Sequence, residues 1–286
     1  MASQKSRKGE NKMSFREKWL EAVDKKGSVL CAGLDPAEFA MGRGEDGLPE
    51  GVDKLSWARS YIMAVAPYCA AVKPNFQYWK SIGGITSLHL ISTITKDLGL
   101  VVIDDSKLAD IGSTNDTGMF YSSQWADAVT YSPFAGNIEE ASRQAHARNL
   151  GIIGMCLMSN PEFEKIKNMQ ISYEGKDIAF YDFLARESNK YSLDGIVIGA
   201  PSTKNHISVK EIETVRKAVG DEMFVLLPGV GAQGGEADAI WRYFSKTNVI
   251  VNVGRALMFP YGSNSTPEQQ AEAAKNYKTI LNKLRA

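Results

Sequence analysis

The chain has 286 residues, 44% of them hydrophobic and 23% charged, enough to bury a sizeable core and close to the about 250 residues that one (β/α)8 barrel needs. Lysine plus arginine and aspartate plus glutamate balance at 33 each, which excludes a global field for nucleic acid or an acidic membrane surface, so any anion must be bound locally. The three cysteines, Cys31, Cys69 and Cys156, sit in apolar runs without C-x-x-C spacing and read as buried thiols of a reducing cytoplasm.

Residues 1–12 are polar and basic, lack the apolar stretch of a signal peptide, and read as a disordered, solvated tail. A single domain is expected over 13–286. It opens at Ser14-Phe15-Arg16-Glu17, an S-x-x-E capping box before a helix that should run to about Gly27. Eight short apolar runs follow: SVLCAGL, YCAAVKP, LGLVVIDD, ADAVTYSP, LGIIGMCLMS, LDGIVIGA, MFVLLPG and TNVIVNVG. They are continuous rather than alternating, as strands buried on both faces are. Helical periodicity fills most of the gaps, for example IEEASRQAHARN, DIAFYDFLARESNKY and SVKEIETVRKAVG. Strand–helix alternation over eight strands predicts a closed (β/α)8 TIM barrel with an N-terminal helix. The Gly- and acid-rich segment 40–53, AMGRGEDGLPEGVD, reads as a loop inserted after the first strand. The last helix is expected within TPEQQAEAAKNYKTILNKLRA, with Thr266 as N-cap and Pro267 at its first position. No segment approaches the length of a membrane span.

Barrel active sites lie at the C-terminal strand ends, so the polar residues just past each run are collected: Asp35, Lys73, Asp105, Lys107, Asp110, Ser159, Gln233 and Arg255. Asp105 and Lys107 are two apart in an extended stretch and face one way; Lys73 ends the preceding strand. Four alternating charges packed together would keep both lysines protonated and both acids ionised. A lone D-x-K reads first as a structural ion pair, but the position of these charges at two adjacent strand ends reverses that preference toward chemistry. A second cluster, LPGVGAQGG at 227–235 and NVGRALM at 252–258, follows the seventh and eighth runs, where barrels bind phosphate. Gly229, Gly231, Gly234, Gly235 and Gly254 would let backbone approach an anion, and Arg255 offers a bidentate fork. Singly, Asp35 and Ser159 fit helix caps or turns as well as ligand contacts. His89, His146 and His206 are isolated, so no transition-metal site is expected.

These residues resemble the orotidine 5'-phosphate decarboxylase family across nearly the whole barrel: GLDP, KPN, D-x-K-x-x-D-I-x-x-T, SNP, PGVGAQGG and VGR in that order. The resemblance implies that Lys73, Asp105, Lys107 and Asp110 form a catalytic charge network, with Asp110 and Thr114 offered to the neighbouring subunit of a homodimer. It makes Asp35 and Lys73 ribose contacts, Ser159 a pyrimidine contact, and Gln233, Gly254 and Arg255 the phosphate grip. It further implies a cofactor-free, metal-free, cytoplasmic enzyme that converts orotidine 5'-monophosphate to UMP, without nucleic-acid or membrane partners. No orotate phosphoribosyltransferase segment is visible, so a monofunctional chain is expected. Ser106 departs from the small apolar residue common in the family, and segment 40–53 lies outside the pattern with no role assigned. The alternatives are a Mg2+-dependent phosphosugar lyase or aldolase of the hexulose phosphate synthase kind, which Lys73 argues against, and a non-catalytic nucleotide-binding barrel.

Overall fold

The computed structural model describes residues 12–202, 205–231 and 237–286. The proposed tail, apart from Lys12, lies outside the described residues. The capping box forms as expected: the Ser14 side chain accepts from Glu17 N, the Glu17 carboxylate accepts from Ser14 N, and helix α1 runs Phe15–Lys26. Gly27 ends it in the left-handed region at φ 56°, which glycine adopts without steric cost.

The strands are β1 Leu30–Leu34, β2 Ala71–Pro74, β3 Val101–Leu108, β4 Ala128–Tyr131, β5 Gly151–Leu157, β6 Gln170–Tyr173, β7 Lys176–Ala179, β8 Gly195–Ile198, β9 Phe224–Pro228 and β10 Val249–Val253. Between them lie the helices α2 Lys54–Val65, α3 Gly84–Asp97, α4 Gly112–Ser122, α5 Ile138–His146, α6 Phe163–Lys167, α7 Phe180–Lys190, α8 Val209–Ala218, α9 Asp238–Trp241, α10 Arg255–Met258 and α11 Pro267–Leu284. Eight of the strands close into a parallel barrel in the order β1-β10-β9-β8-β5-β4-β3-β2. Each of the eight apolar runs supplies one of them. Their residues are buried on both faces, which is why the runs do not alternate.

Helix α1 seals the N-terminal end of the barrel. Phe15 and Trp19 pack edge-on against Phe224, at ring distances of 5.6 and 6.5 Å, and the fully buried Trp19 donates its indole N–H to Thr247 O at 2.8 Å. A Cβ on Gly151 would stand 2.6 Å from Phe15 Cγ, so this seal needs a glycine at the start of β5. Closure at one end leaves the other for the site.

One element departs from expectation. The helix predicted from Asp177 begins only at Phe180, because Lys176–Ala179 pairs antiparallel with Gln170–Tyr173. Glu174 and Gly175 turn this hairpin with φ of 51° and 78°, the pair of positive values that a two-residue turn between twisted strands requires. Segment 40–53 is a loop, as expected, carrying 3-10 turns at Phe39–Met41 and Gly44–Asp46 and anchored by the buried Leu48. No described helix is long and apolar enough to cross a membrane.

Candidate active site

Register brings the charges together. Gly33 of β1 pairs with Lys73 of β2, and Thr130 of β4 lies on the other side of β3, where its hydroxyl reaches Asp105. Lys73 forms a short ion pair with Asp105 Oδ2, while Lys107 Nζ meets Asp105 Oδ1 at 2.6 Å. Thr130 Oγ1 donates to the same Oδ1 at 2.9 Å and accepts the Lys107 amide N–H at 2.9 Å. Lys73 and Asp105 are buried, but the Lys107 side chain is 41% exposed and opens toward the strand-end cavity.

Burial alone would push the Asp105 carboxyl up, yet the two ammonium groups outweigh it and hold the acid well below the usual carboxylate range. Burial would likewise lower Lys73, but Asp105 and Asp35 reverse the sign and raise it. Beneath them the Cys31 thiol is pushed up to about 12 by burial, so it is neutral and takes no part in the charge pattern. The Asp105 carboxylate and the Lys73 ammonium are thereby both held in their charged forms.

Asp35, just past β1, accepts from Asn75 Nδ2 at 3.2 Å, while its buried Oδ1 has no partner among the described residues. Buried carboxylate oxygens are ordinarily hydrogen-bonded, so Asp35 Oδ1 is a candidate acceptor for a ligand hydroxyl. Asn75 was not singled out from the sequence, although it stands two residues after Lys73 within the quoted KPN. Ser159 follows β5 and lies against Gly199, where an added Cβ would come within 2.6 Å of Ser159 Cβ.

Asp110 does not join the array within the chain. Beyond Leu108 the backbone turns outward toward α4, and the Asp110 carboxylate accepts its neighbour's Ile111 N–H at 2.7 Å. The buried Asn115 side chain holds the Asp110 backbone at both N–H and C=O. Three of the four expected charges are thus brought together and the fourth is presented outward. Lys107, Asp110 and Thr114 line one cleft of about 600 Å³ with Phe76, Ile85 and Tyr121.

At the opposite rim, Gly229 ends β9 with φ 87°, and Gly254 and Arg255 open α10. Gln233, Gly234 and Gly235 lie outside the described residues. Arg255 Nη1 is engaged by Asp46 Oδ2 at 2.7 Å, with side chains 72% and 49% exposed. Asp46 belongs to segment 40–53, which carries no role in the sequence reading. Its neighbour Glu45 accepts from Ser263 N at 3.2 Å and occupies the space over Gly262, whose φ is 86°. A cavity of about 360 Å³ joins Asp35, Arg43, Asp46, Arg255 and Met258. Among the described residues no cluster of three or more His, Cys, Asp or Glu side chains is arranged to hold a metal ion.

A family model described as "Orotidine 5'-phosphate decarboxylase / HUMPS family" matches residues 28–274. A curated orotidine 5'-phosphate decarboxylase of Ralstonia pickettii is 32% identical over 274 residues, covering 92% of this chain and 94% of its own. One of Bordetella avium is 28% identical over 282 residues, covering 96% and 100%. Among solved structures, an OMP decarboxylase of Leishmania donovani superposes with a TM-score of 0.74 at 22% identity over 96% of this chain and 99% of its own. At that identity the likeness supports the fold.

Proposed function

The chain belongs to the orotidine 5'-phosphate decarboxylase / HUMPS family, and from that premise we propose that it decarboxylates orotidine 5'-monophosphate to UMP without a cofactor, Lys107 acting at C6. The observation that carries the reading is the buried Asp105 with a lysine on each carboxylate oxygen. When the C6–carboxylate bond breaks, its electron pair stays on C6 and CO2 leaves. The ring delocalises that charge poorly, so a fixed cation beside C6 lowers the barrier. The Lys107 ammonium supplies it, then passes its proton to C6 to complete UMP and regains one from water. Asp105 holds the ammonium in place beside the departing carboxylate. Asp35 with its free oxygen, and Lys73, hold the ribose; Ser159 contacts the pyrimidine; Gln233, Gly254 and Arg255 hold the phosphate, whose binding energy is spent on fixing the reacting ring.

The Mg2+-dependent alternative fits the array less well, because both Asp105 oxygens face ammonium groups where a metal would need free carboxylate. A non-catalytic nucleotide binder would have no use for a buried Lys73–Asp105 pair that holds the half-exposed Lys107 at the cleft. We further propose a homodimer in which Asp110 and Thr114 complete the partner's site. The outward turn at Asp110 and the exposed Ile85, Ile111 and Tyr121 around the cleft support it. Three free, buried cysteines fit the cytoplasmic setting expected from the sequence.

The test is loss of orotidine 5'-monophosphate absorbance on adding purified protein, with and without exhaustive chelation. Conversion to UMP that survives chelation is expected. Activity that disappears and returns with Mg2+ selects the lyase reading, and nucleotide binding without turnover selects the silent barrel.

A further inference from the structure

Lys107 has φ 51°, a left-handed conformation that a lysine side chain disfavours and that persists only where its surroundings over-determine it. The β3–β4 register also shifts between Asp104 and Leu108. Something must hold the backbone there. On the barrel face the hold is Thr130, which takes the Lys107 N–H. On the opposite face stands Asp104, 1% exposed, which enters none of the roles given above. Its Oδ1 accepts the Ser106 hydroxyl and its Oδ2 the Ser122 hydroxyl at 2.6 Å, Ser122 being the last residue of α4.

We propose that Asp104 is a positioning residue for Lys107, clamping residue 106 to α4 so that the lysine keeps its left-handed backbone and its place on Asp105. This rests on the reading of Lys107 as the cation at C6. The bridge from 104 to 106 spans Asp105 on the outward face, while Thr130 binds both Asp105 and Lys107 on the inward face. Between them they fix the strand where it leaves regular pairing. Ser106, the one departure from the family pattern noted in the sequence, thereby gains a role.

Burial pushes Asp104 up to about 6 even though both hydroxyls favour its charged form. A buried acid whose folded pKa is raised weakens the fold as pH rises through the window from its unfolded value to about 6. Ionisation of this carboxyl therefore opposes folding at neutral pH, and the geometry of its two hydroxyl contacts is what the proposal rests on.

The experiment combines turnover, UMP affinity and amide hydrogen exchange at Lys107. Asp104→Leu should lower kcat about tenfold and Ser106→Ala about threefold, with the dissociation constant for UMP within about twofold of the parent. In both, the Lys107 amide should exchange at least about tenfold faster, because its Thr130 hydrogen bond is no longer held in register. Asp104→Asn keeps acceptor and donor atoms for the two hydroxyls and should restore kcat and protection to within about threefold. If Asp104→Leu does not fold, Ser106→Ala carries the test. Parent-like exchange and kcat in Ser106→Ala and Asp104→Leu would overturn the proposal, as would a loss confined to KM. Lost protection with unchanged kcat would also overturn the positioning role, since a loosened Lys107 would then still reach C6, whereas the reading of Lys107 itself is tested separately by Lys107→Ala.

Discussion

The strand ends of β2 and β3 and the rim at Gly254 and Arg255 differ in how far each is already paired within the chain. At the first, Lys73, Asp105 and Thr130 are buried on neighbouring strands and paired with one another within the chain. At the second, Arg255 is largely exposed and paired with an aspartate 209 residues away on a loop. On the proposed reading the two regions suit different tasks. Charges that stabilise a carbanion gain from burial and fixed geometry, since no reorganisation is then needed at the reacting moment. A group that would capture and release a phosphate gains from water and from an exchangeable partner, because exposed ion pairs are worth little and are readily replaced.

The sharpest break in that comparison is Lys107→Ala. It should lower kcat by about 10⁴-fold or more while UMP affinity changes far less, measured by turnover and calorimetry; activity within about tenfold of the parent would remove Lys107 from the chemistry. Next comes the intersubunit test. Homodimers of Lys107→Ala and of Asp110→Ala should both be impaired, but after subunit exchange of equal amounts about a quarter of all sites regain both groups and full activity. No recovery, with exchange verified by differently tagged chains, would place Asp110 in its own chain's site.

Arg255→Ala should lower kcat/KM for the phosphorylated substrate by about 10²-fold and leave the slow reaction of the phosphate-free nucleoside unchanged. Equal losses on both substrates would make Arg255 structural. Stability probes the first region by pH. Asp105 has a depressed folded pKa, so its contribution is fully present above the unfolded carboxylate value and is lost as pH falls below it. Asp105→Asn should therefore cost about 3 kcal/mol at pH 7 in denaturant titrations, near the low end for a broken buried pair because Lys107 is partly solvated. That gap should narrow below about pH 4. The smallest effect belongs to Asp46→Asn in binding. Freeing the Arg255 fork should tighten UMP by roughly twofold to fivefold at low salt, fading as salt rises. Weaker binding would show that Asp46 orients the guanidinium for phosphate.

Legibility in the sequence tracks the range of the interactions involved. The capping boxes at Ser14–Glu17 and Thr266–Gln269 close within four residues, and the eight strand runs follow from burial on both faces. Both are set by local composition, and both could be read. The hairpin at 170–179 carried a Glu-Gly turn signal, but the helical periodicity of DIAFYDFLARESNKY masked it, since apolar positions at Ile178, Phe180 and Phe183 fit either element until pairing decides.

Among the site residues, the sequence by itself determined which side chains stand at the strand ends, Asp35, Lys73, Asp105, Lys107 and Arg255, because a strand's last residue is fixed by where its apolar run stops. Only the tertiary structure decided how they divide. Asp110 leaves the array because β3 breaks register before it. Asp104 acquires its second hydroxyl partner because α4 returns Ser122 behind the strand. Asp46 reaches Arg255 because barrel closure sets β10 beside β1, bringing the loop after β1 against the start of α10. Each depends on contacts between residues distant in the chain, whose geometry no local pattern encodes.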